Sequence, residues 1–176
     1  MTDGGSATSR DPLGIVARKD CLHVVLFEPE IPPNTGNIGR LCWSTNSALH
    51  LIRPLGFEID DRAVRRAGLD YWNELDLAVW DTFEALRTAV ADVRGRKMED
   101  LMHLFTTKAT RSHWSAKFVL GDFLVFGPES RGLPESLLDT ATERSVKIPM
   151  SNGRSLNLAT SAGIGLYEGL RQCLEE

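Results

Sequence analysis

Phe123-Leu124-Val125-Phe126-Gly127-Pro128-Glu129-Ser130-Arg131-Gly132-Leu133-Pro134 is an apolar run that stops abruptly in a turn rich in Gly and Pro. Two pieces downstream repeat the theme. Val146-Lys147-Ile148 is a short strand-like run closed by Pro149-Met150, and Ser151-Asn152-Gly153-Arg154-Ser155-Leu156-Asn157-Leu158 leads into a helical pattern. Strands that end at such turns and hand over to helix N-termini open backbone N–H and C=O groups at the carboxyl edge of a sheet. Open α/β folds bind ligands at that edge, so the stretch from Phe123 to Glu168 is the expected seat of a functional site.

Upstream, Leu22-His23-Val24-Val25-Leu26-Phe27 reads as a strand buried on both faces. It ends in Glu28-Pro29-Glu30-Ile31-Pro32-Pro33, after which Asn34 is the expected N-cap of a helix to about Asn46. Gly36 and Gly39 inside that helix each cost about 1 kcal/mol relative to Ala, which predicts a close approach by another element. Ala48 to Ile52 and Leu75 to Val79 are the next strands, with a short basic helix from Asp60-Asp61 through Arg66 between them. Thr82 opens a helix to about Arg94, Met102 to Phe105 is a fourth strand ending in Thr106-Thr107-Lys108, and Pro134 to Asp139 is a short helix. Ser145 to Ile148 is the last strand, and the final helix starts near Ser155 with small residues in its first turns. This alternation predicts an α/β domain whose mostly parallel sheet is flanked by helices.

A chain of 176 residues suits one domain, 21–176, preceded by a loose Gly/Ser/Asp-rich tail over 1–20. No apolar run approaches the roughly 20 residues that span a bilayer, and the tail has no apolar signal core. Three widely spaced cysteines without a C-x-x-C pair, and four histidines without ligand spacing, predict neither a disulfide nor a metal site. The net charge of −4 gives no global pull towards nucleic acid. Local clusters would have to supply it, and Arg62, Arg65 and Arg66, with Lys108, Arg111 and Lys117, are the candidates.

Three motifs stand in order. The first is Glu28-Pro29-Glu30-Ile31-Pro32-Pro33-Asn34-Thr35-Gly36-Asn37-Ile38 with Arg40, and the second is Phe126-Gly127-Pro128-Glu129-Ser130-Arg131-Gly132. The third is Ile148-Pro149-Met150 with Arg154-Ser155-Leu156-Asn157-Leu158. Pro54-Leu55-Gly56-Phe57, Arg65-Arg66-Ala67-Gly68-Leu69-Asp70-Tyr71 and Thr106-Thr107-Lys108 link them. With these, the chain from about Leu22 to Gln172 resembles the SPOUT superfamily of RNA methyltransferases, specifically the minimal tRNA 2′-O-methyltransferases of the TrmL (YibK-like) type. Any one motif alone is weak; three in order are specific.

The resemblance implies a sheet whose C-terminal segment forms a deep trefoil knot, a rare exception to the usual connection rules. It also implies a cytoplasmic homodimer packed partly through the last helix, and S-adenosylmethionine as cofactor. By motif, Phe105, Gly127, Ile148 and Ser155 would line the cofactor pocket, with Met150, Leu156 and Asn157 beside them. The substrate implied is the anticodon stem-loop of leucine tRNAs, methylated on the wobble cytidine or uridine. Arg40 would serve the 2′-hydroxyl, Asn34 would stand with it in motif one, and Glu129 would orient the cofactor or Arg40. Arg62, Arg65, Arg66, Lys108 and Arg111 would touch RNA. Another tRNA position or ribosomal RNA is the alternative substrate.

Taken singly, each of these residues has a plainer reading. Arg40 alone is a surface arginine, Glu129 a turn residue, and Ser155 and Asn157 helix caps. Gly39, Trp43 and Trp72 depart from the family pattern; none falls at a key position of the cofactor loops.

Overall fold

β1 (His23–Phe27) and β2 (Ala48–Ile52) are buried almost residue after residue, as strands covered on both faces of a parallel sheet must be. The computed structural model, which describes residues 11–59 and 71–174, extends this pattern to six strands. With them stand α1 (Pro12–Ala17), α2 (Pro32–Ser44), β3 (Leu77–Trp80), α3 (Phe83–Arg94), β4 (Met102–Phe105), β5 (Phe123–Phe126), α4 (Glu135–Leu138), β6 (Ser145–Val146) and α5 (Leu158–Leu174). Among the described residues no helix is long and apolar enough to cross a membrane.

The strand order is β3-β2-β1-β5-β4-β6, and every pair is parallel. The order reverses between β1 and β5, which pair from His23↔Phe123 to Leu26↔Phe126. Loops leaving two strands at such a switch part in opposite directions and open a crevice at the carboxyl edge. Alternate residues serve opposite faces. Val25, Phe123 and Val125 share one core with Ile15 and Val16 of α1 and Leu86 and Val90 of α3. Val24, Leu26 and Leu124 share the other with Ile38 and Cys42 of α2 and Ala162 and Leu166 of α5.

Several boundaries differ from those the sequence suggests. The chain joins the fold at Pro12 rather than after Asp20: Asp11 caps α1, Ile15 and Val16 are buried, and Arg18 pairs with Asp76 at 2.6 Å. α2 starts at Pro32, so Asn34 sits inside its first turn and Ile31 takes the N-cap position without a side-chain bond. Proline is tolerated at these first positions because their N–H groups would have no intrahelical partner anyway. β3 begins at Leu77 and β6 shrinks to two residues, Lys147 adding only an isolated bridge to Ser112. α5 begins three residues later than expected, because Asn157 supplies the cap: its Oδ1 accepts from Ala159 N at 2.8 Å and Thr160 N at 3.2 Å. The short basic helix expected over 60–66 lies outside the described residues.

The close approach predicted for Gly39 is present. A Cβ on Gly39 would come within 2.8 Å of Trp72, and one on Gly165 within 2.7 Å of Phe105, so the glycines of α2 and α5 let bulky side chains lie against the helices.

Candidate active site

At the carboxyl edge, the ends of β4 and β5 with their loops, the start of α2 and the segment before α5 enclose a cleft of about 530 Å³, a size that suits a nucleoside-like ligand. Phe105, Phe126, Leu133 and Leu158 give it apolar walls, joined by Ile148, Met150 and Leu156 from the segment before α5. Thr106, Thr107, Lys108, Ser130, Arg131, Ser155 and Ser161 supply polar groups. The turn after β5 is very tight: a Cβ on Gly127 would stand 2.3 Å from Leu133 N, and Gly132 takes φ +70°. Only glycine allows such a return of the backbone on itself.

Two carboxylates hold the loops after β1 and β5 together by exchanging partners. Glu129 accepts from Glu30 N at 2.9 Å, Ile31 N at 3.2 Å and Asn34 Nδ2 at 3.0 Å. In return Glu30 accepts from Ser130 N at 2.9 Å, Ser130 Oγ at 2.6 Å and Arg131 at 3.3 Å. The Ser130 bonds hold the Glu30 carboxyl below its usual range. Arg131 also pairs with Glu28, whose φ of +48° is rare for a residue with a Cβ. Glu28 N is fixed to Ile52 O at 3.0 Å, so the strained corner is held from both sides.

Asn34 extends this chain. Its Oδ1 accepts from Asn157 Nδ2 at 2.9 Å, so Glu129, Asn34 and Asn157 tie together the three loops that frame the cleft. Both ends of the Asn34 amide and both oxygens of Glu129 are thereby occupied. These bonds hold the loops in place, and both residues also line the cleft, where motif similarity implies a part in catalysis and cofactor orientation.

Asn34, Glu129, Phe105, Gly127, Ile148, Met150, Ser155, Leu156 and Asn157 all line the cleft, as does Lys108, which reaches Glu135. Arg40 does not: it is exposed on α2, six residues beyond Asn34 or about 9 Å along the helix at 1.5 Å per residue. Arg111 also stands apart, holding the turn at 112–115 through Ser115 and Glu143 O. Arg62, Arg65 and Arg66 lie outside the described residues. Sequence reasoning quoted Ser130, Arg131 and Thr106-Thr107 without a role. Two acids, Glu28 and Glu30, facing Arg131 across two neighbouring loops were the signal that could have found the exchange. Among the described residues no group of three or more His, Cys, Asp or Glu gathers as a metal site.

The SpoU rRNA Methylase family matches residues 21–167, the span that carries all three loops of the cleft. The chain belongs to that family. A relative of high similarity, the tRNA (cytidine(34)-2′-O)-methyltransferase of Methylovorus glucosotrophus, is 50 % identical over 151 residues, covering 85 % of this chain and 94 % of its own. A structure described as giving insight into the 2-OH methylation of C/U34 on tRNA matches with a TM-score of 0.81 at 43 % identity, over 90 % of this chain and 99 % of that one. The SpoU methyltransferase AviRb of Streptomyces viridochromogenes, in complex with AdoMet, shares the fold alone. It is 24 % identical, with a TM-score of 0.77 over 90 % of this chain and 63 % of its own. In the SpoU family, then, this chain combines a parallel α/β sheet with a cleft at its carboxyl edge.

Proposed function

We propose that this protein is a tRNA (cytidine(34)-2′-O)-methyltransferase that uses S-adenosylmethionine and acts on the wobble ribose of leucine tRNAs in the cytoplasm. One observation carries the reading: the three sequence motifs, far apart in the chain, frame a single cleft. The residues present fit the cofactor. Phe105 and Phe126, stacked at 4.6 Å, with Leu158 and Ile148, suit a nucleoside, while Ser155, Ser161 and backbone groups suit its polar ends. Glu129 brings a carboxylate to the lining of a cleft meant for a sulfonium. S-adenosylmethionine, when bound, supplies a methyl group on a positively charged sulfur.

In that transfer the methyl–sulfur bond would break as the new C–O bond to the ribose 2′-oxygen forms, leaving the sulfur a neutral thioether, and the 2′-hydroxyl proton would pass to the RNA phosphate or to water. What the chain contributes is orientation and charge. Lys108 and Arg131 at the cleft offer cations to RNA phosphate. Arg40, always protonated, meets the strand as it crosses α2 towards the cleft, holding the phosphate beside the target ribose. Asn34 and Glu129 keep the loops in register. The C-terminal segment is threaded as a trefoil knot, and two copies pair through the exposed side of α5, where Tyr167 is 58 % exposed.

The test is methyl transfer from labelled S-adenosylmethionine to total tRNA, with the product nucleoside located by mass spectrometry. A 2′-O-methyl group at position 34 of leucine tRNA is expected. The family's name points to a second reading, ribosomal RNA, and label in rRNA with none in tRNA would replace the first.

A further inference from the structure

Two glycines of α2 just before Arg40 are met by aromatic residues, Gly36 through its carbonyl and Gly39 through the space its missing Cβ leaves. Tyr71, 5 % exposed, donates its hydroxyl to the Gly36 carbonyl at 2.7 Å. In an α-helix that carbonyl is the partner of the N–H four residues on, which is Arg40 N–H. The phenol therefore sits on the turn that carries Arg40. Burial raises its pKa, while the charge and the backbone N–H of Arg40 pull the other way. Trp72 lies against Gly39, where a Cβ would come within 2.8 Å of the indole ring. Trp43, one turn on, contacts the Tyr71 ring at 5.6 Å, and its indole N–H donates to Glu74 at 3.1 Å.

These contacts fall four residues before Arg40, one before it and three after it. The Arg40 side chain itself is exposed, while the backbone beneath it is gripped from Gly36 to Trp43. A long side chain reaching for phosphate from a loose turn would sample many positions. A misplacement of 1 Å in a positioning group can cost about a hundredfold in rate. Gripping the turn narrows that spread without touching the guanidinium.

We propose that Tyr71 is a positioning residue for methyl transfer, fixing through the Gly36 carbonyl, with Trp72 against Gly39, the turn of α2 from which Arg40 meets the RNA. The inference rests on the role given to Arg40 above, and the test separates the two. Tyr71→Phe keeps the ring and removes only the hydroxyl. Its kcat for tRNA methylation falls about tenfold, while the dissociation constant for S-adenosylmethionine stays within about twofold of the parent. The discriminating readout is a double-mutant cycle with Arg40→Lys. A positioning role acting through Arg40 makes the Tyr71→Phe loss shrink to near nothing in that background; a general weakening of the fold gives the same fold-loss in both. Gly39→Ala, which pushes against the Trp72 ring from the other side, gives the same pattern and serves should Tyr71→Phe not fold. Parent-level kcat in Tyr71→Phe, or an equal loss in both backgrounds, overturns the inference while Arg40→Ala remains inactive. Full activity in Arg40→Ala overturns the role of Arg40 and the inference with it.

Discussion

Asn157 donates its side-chain amide to Asn34 Oδ1 at 2.9 Å, across 123 residues of sequence, and with its own oxygen caps α5. One side chain thus joins the start of the last helix to the start of α2, and Glu129 completes the link to the loop after β5. The cleft owes its shape to this chain of amide and carboxylate groups more than to any single loop.

Asn157→Ala removes a helix cap, worth about 1 kcal/mol, and leaves the Asn34 carbonyl without its donor, worth about 1 kcal/mol more. A fall in Tm of about 6 °C is expected by calorimetry. Cofactor affinity falls with it, since Ser155 and Leu156 stand directly before the cap and line the cleft. Asn157→Asp keeps the acceptor for Ala159 and Thr160 and recovers part of the Tm. It places a carboxylate against the Asn34 oxygen, so cofactor affinity stays low by titration calorimetry.

Gly165 of α5 faces the stacked pair Phe105 and Phe126, with a Cβ there 2.7 Å from Phe105 Cζ and 3.2 Å from Phe126 Cζ. Gly165→Ala overpacks this contact at a cost of about 1–3 kcal/mol. Because both rings also line the cleft, the dissociation constant for S-adenosylmethionine rises together with the loss of Tm. Gly163→Ala is the control. A Cβ there would meet Leu41 only at 4.0 Å, so removing a helical glycine is expected to stabilise by about 0.5–1 kcal/mol.

How far the sequence reveals this depends on the range of the interaction. β2 and β4 were legible to the residue, because burial on both faces writes a nearly continuous apolar run, broken in each only by a histidine, His50 and His103. Thr82 and Arg94 bound α3 for a local reason as well, a hydroxyl cap at one end and Gly95 at φ +63° at the other. Asn34 misled: its type and place suggest an N-cap, yet its amide bonds to Glu129 and Asn157, far along the chain. Asn157, by contrast, does cap a helix and also serves the cleft. The grip of Arg94 on α1 left no local signature at all, since three carbonyls are invisible in a sequence.

Arg94 donates to Val16 O and Gly121 O at 2.7 Å each and to Arg18 O, and its guanidinium lies 4.9 Å over the Phe123 ring. It satisfies carbonyls at the end of α1 and the start of β5, at the edge of the sheet opposite the cleft. Arg94→Ala leaves these part-buried acceptors without a donor, a loss of about 3 kcal/mol. Faster hydrogen exchange in α1 and a lower Tm are expected, with methylation at 25 °C retained. Unchanged exchange in α1 would show that Ile15 and Val16 hold the helix without Arg94.

Trp80, His50 and His23 form a buried chain of hydrogen bonds. Trp80 Nε1–H donates to His50 Nδ1 at 3.1 Å, so the His50 proton is on Nε2, which meets His23 Nδ1 at 3.0 Å. His23 Nε2 faces both Arg18 O at 2.9 Å and the Arg94 guanidinium at 2.8 Å, so it sits between an acceptor and a donor. Neither ring can gain a second proton without breaking a bond. Burial holds the His23 pKa down to about 3, with Arg94 and Arg18 adding repulsion and Asp20 opposing it. Burial holds His50 well below its ordinary value too, with His23 and Arg94 in the same sense. In the unfolded chain both titrate near 6.5. Between that pH and the folded values the unfolded state binds more protons, so stability is complete above about 6.5 and is lost as pH falls. At 1.36 kcal/mol per pH unit for each ring, lowering pH from 7 to 5 removes about 4 kcal/mol for the pair. Carboxylates do not confuse this window: Glu168, held down to about 2 by Arg171, loses its contribution only below the ordinary carboxylate range. Urea unfolding at pH 7 and pH 5 measures the difference directly. A stability that is flat between them would mean that at least one ring accepts a proton in the folded state, and the chain of hydrogen bonds as assigned would be wrong.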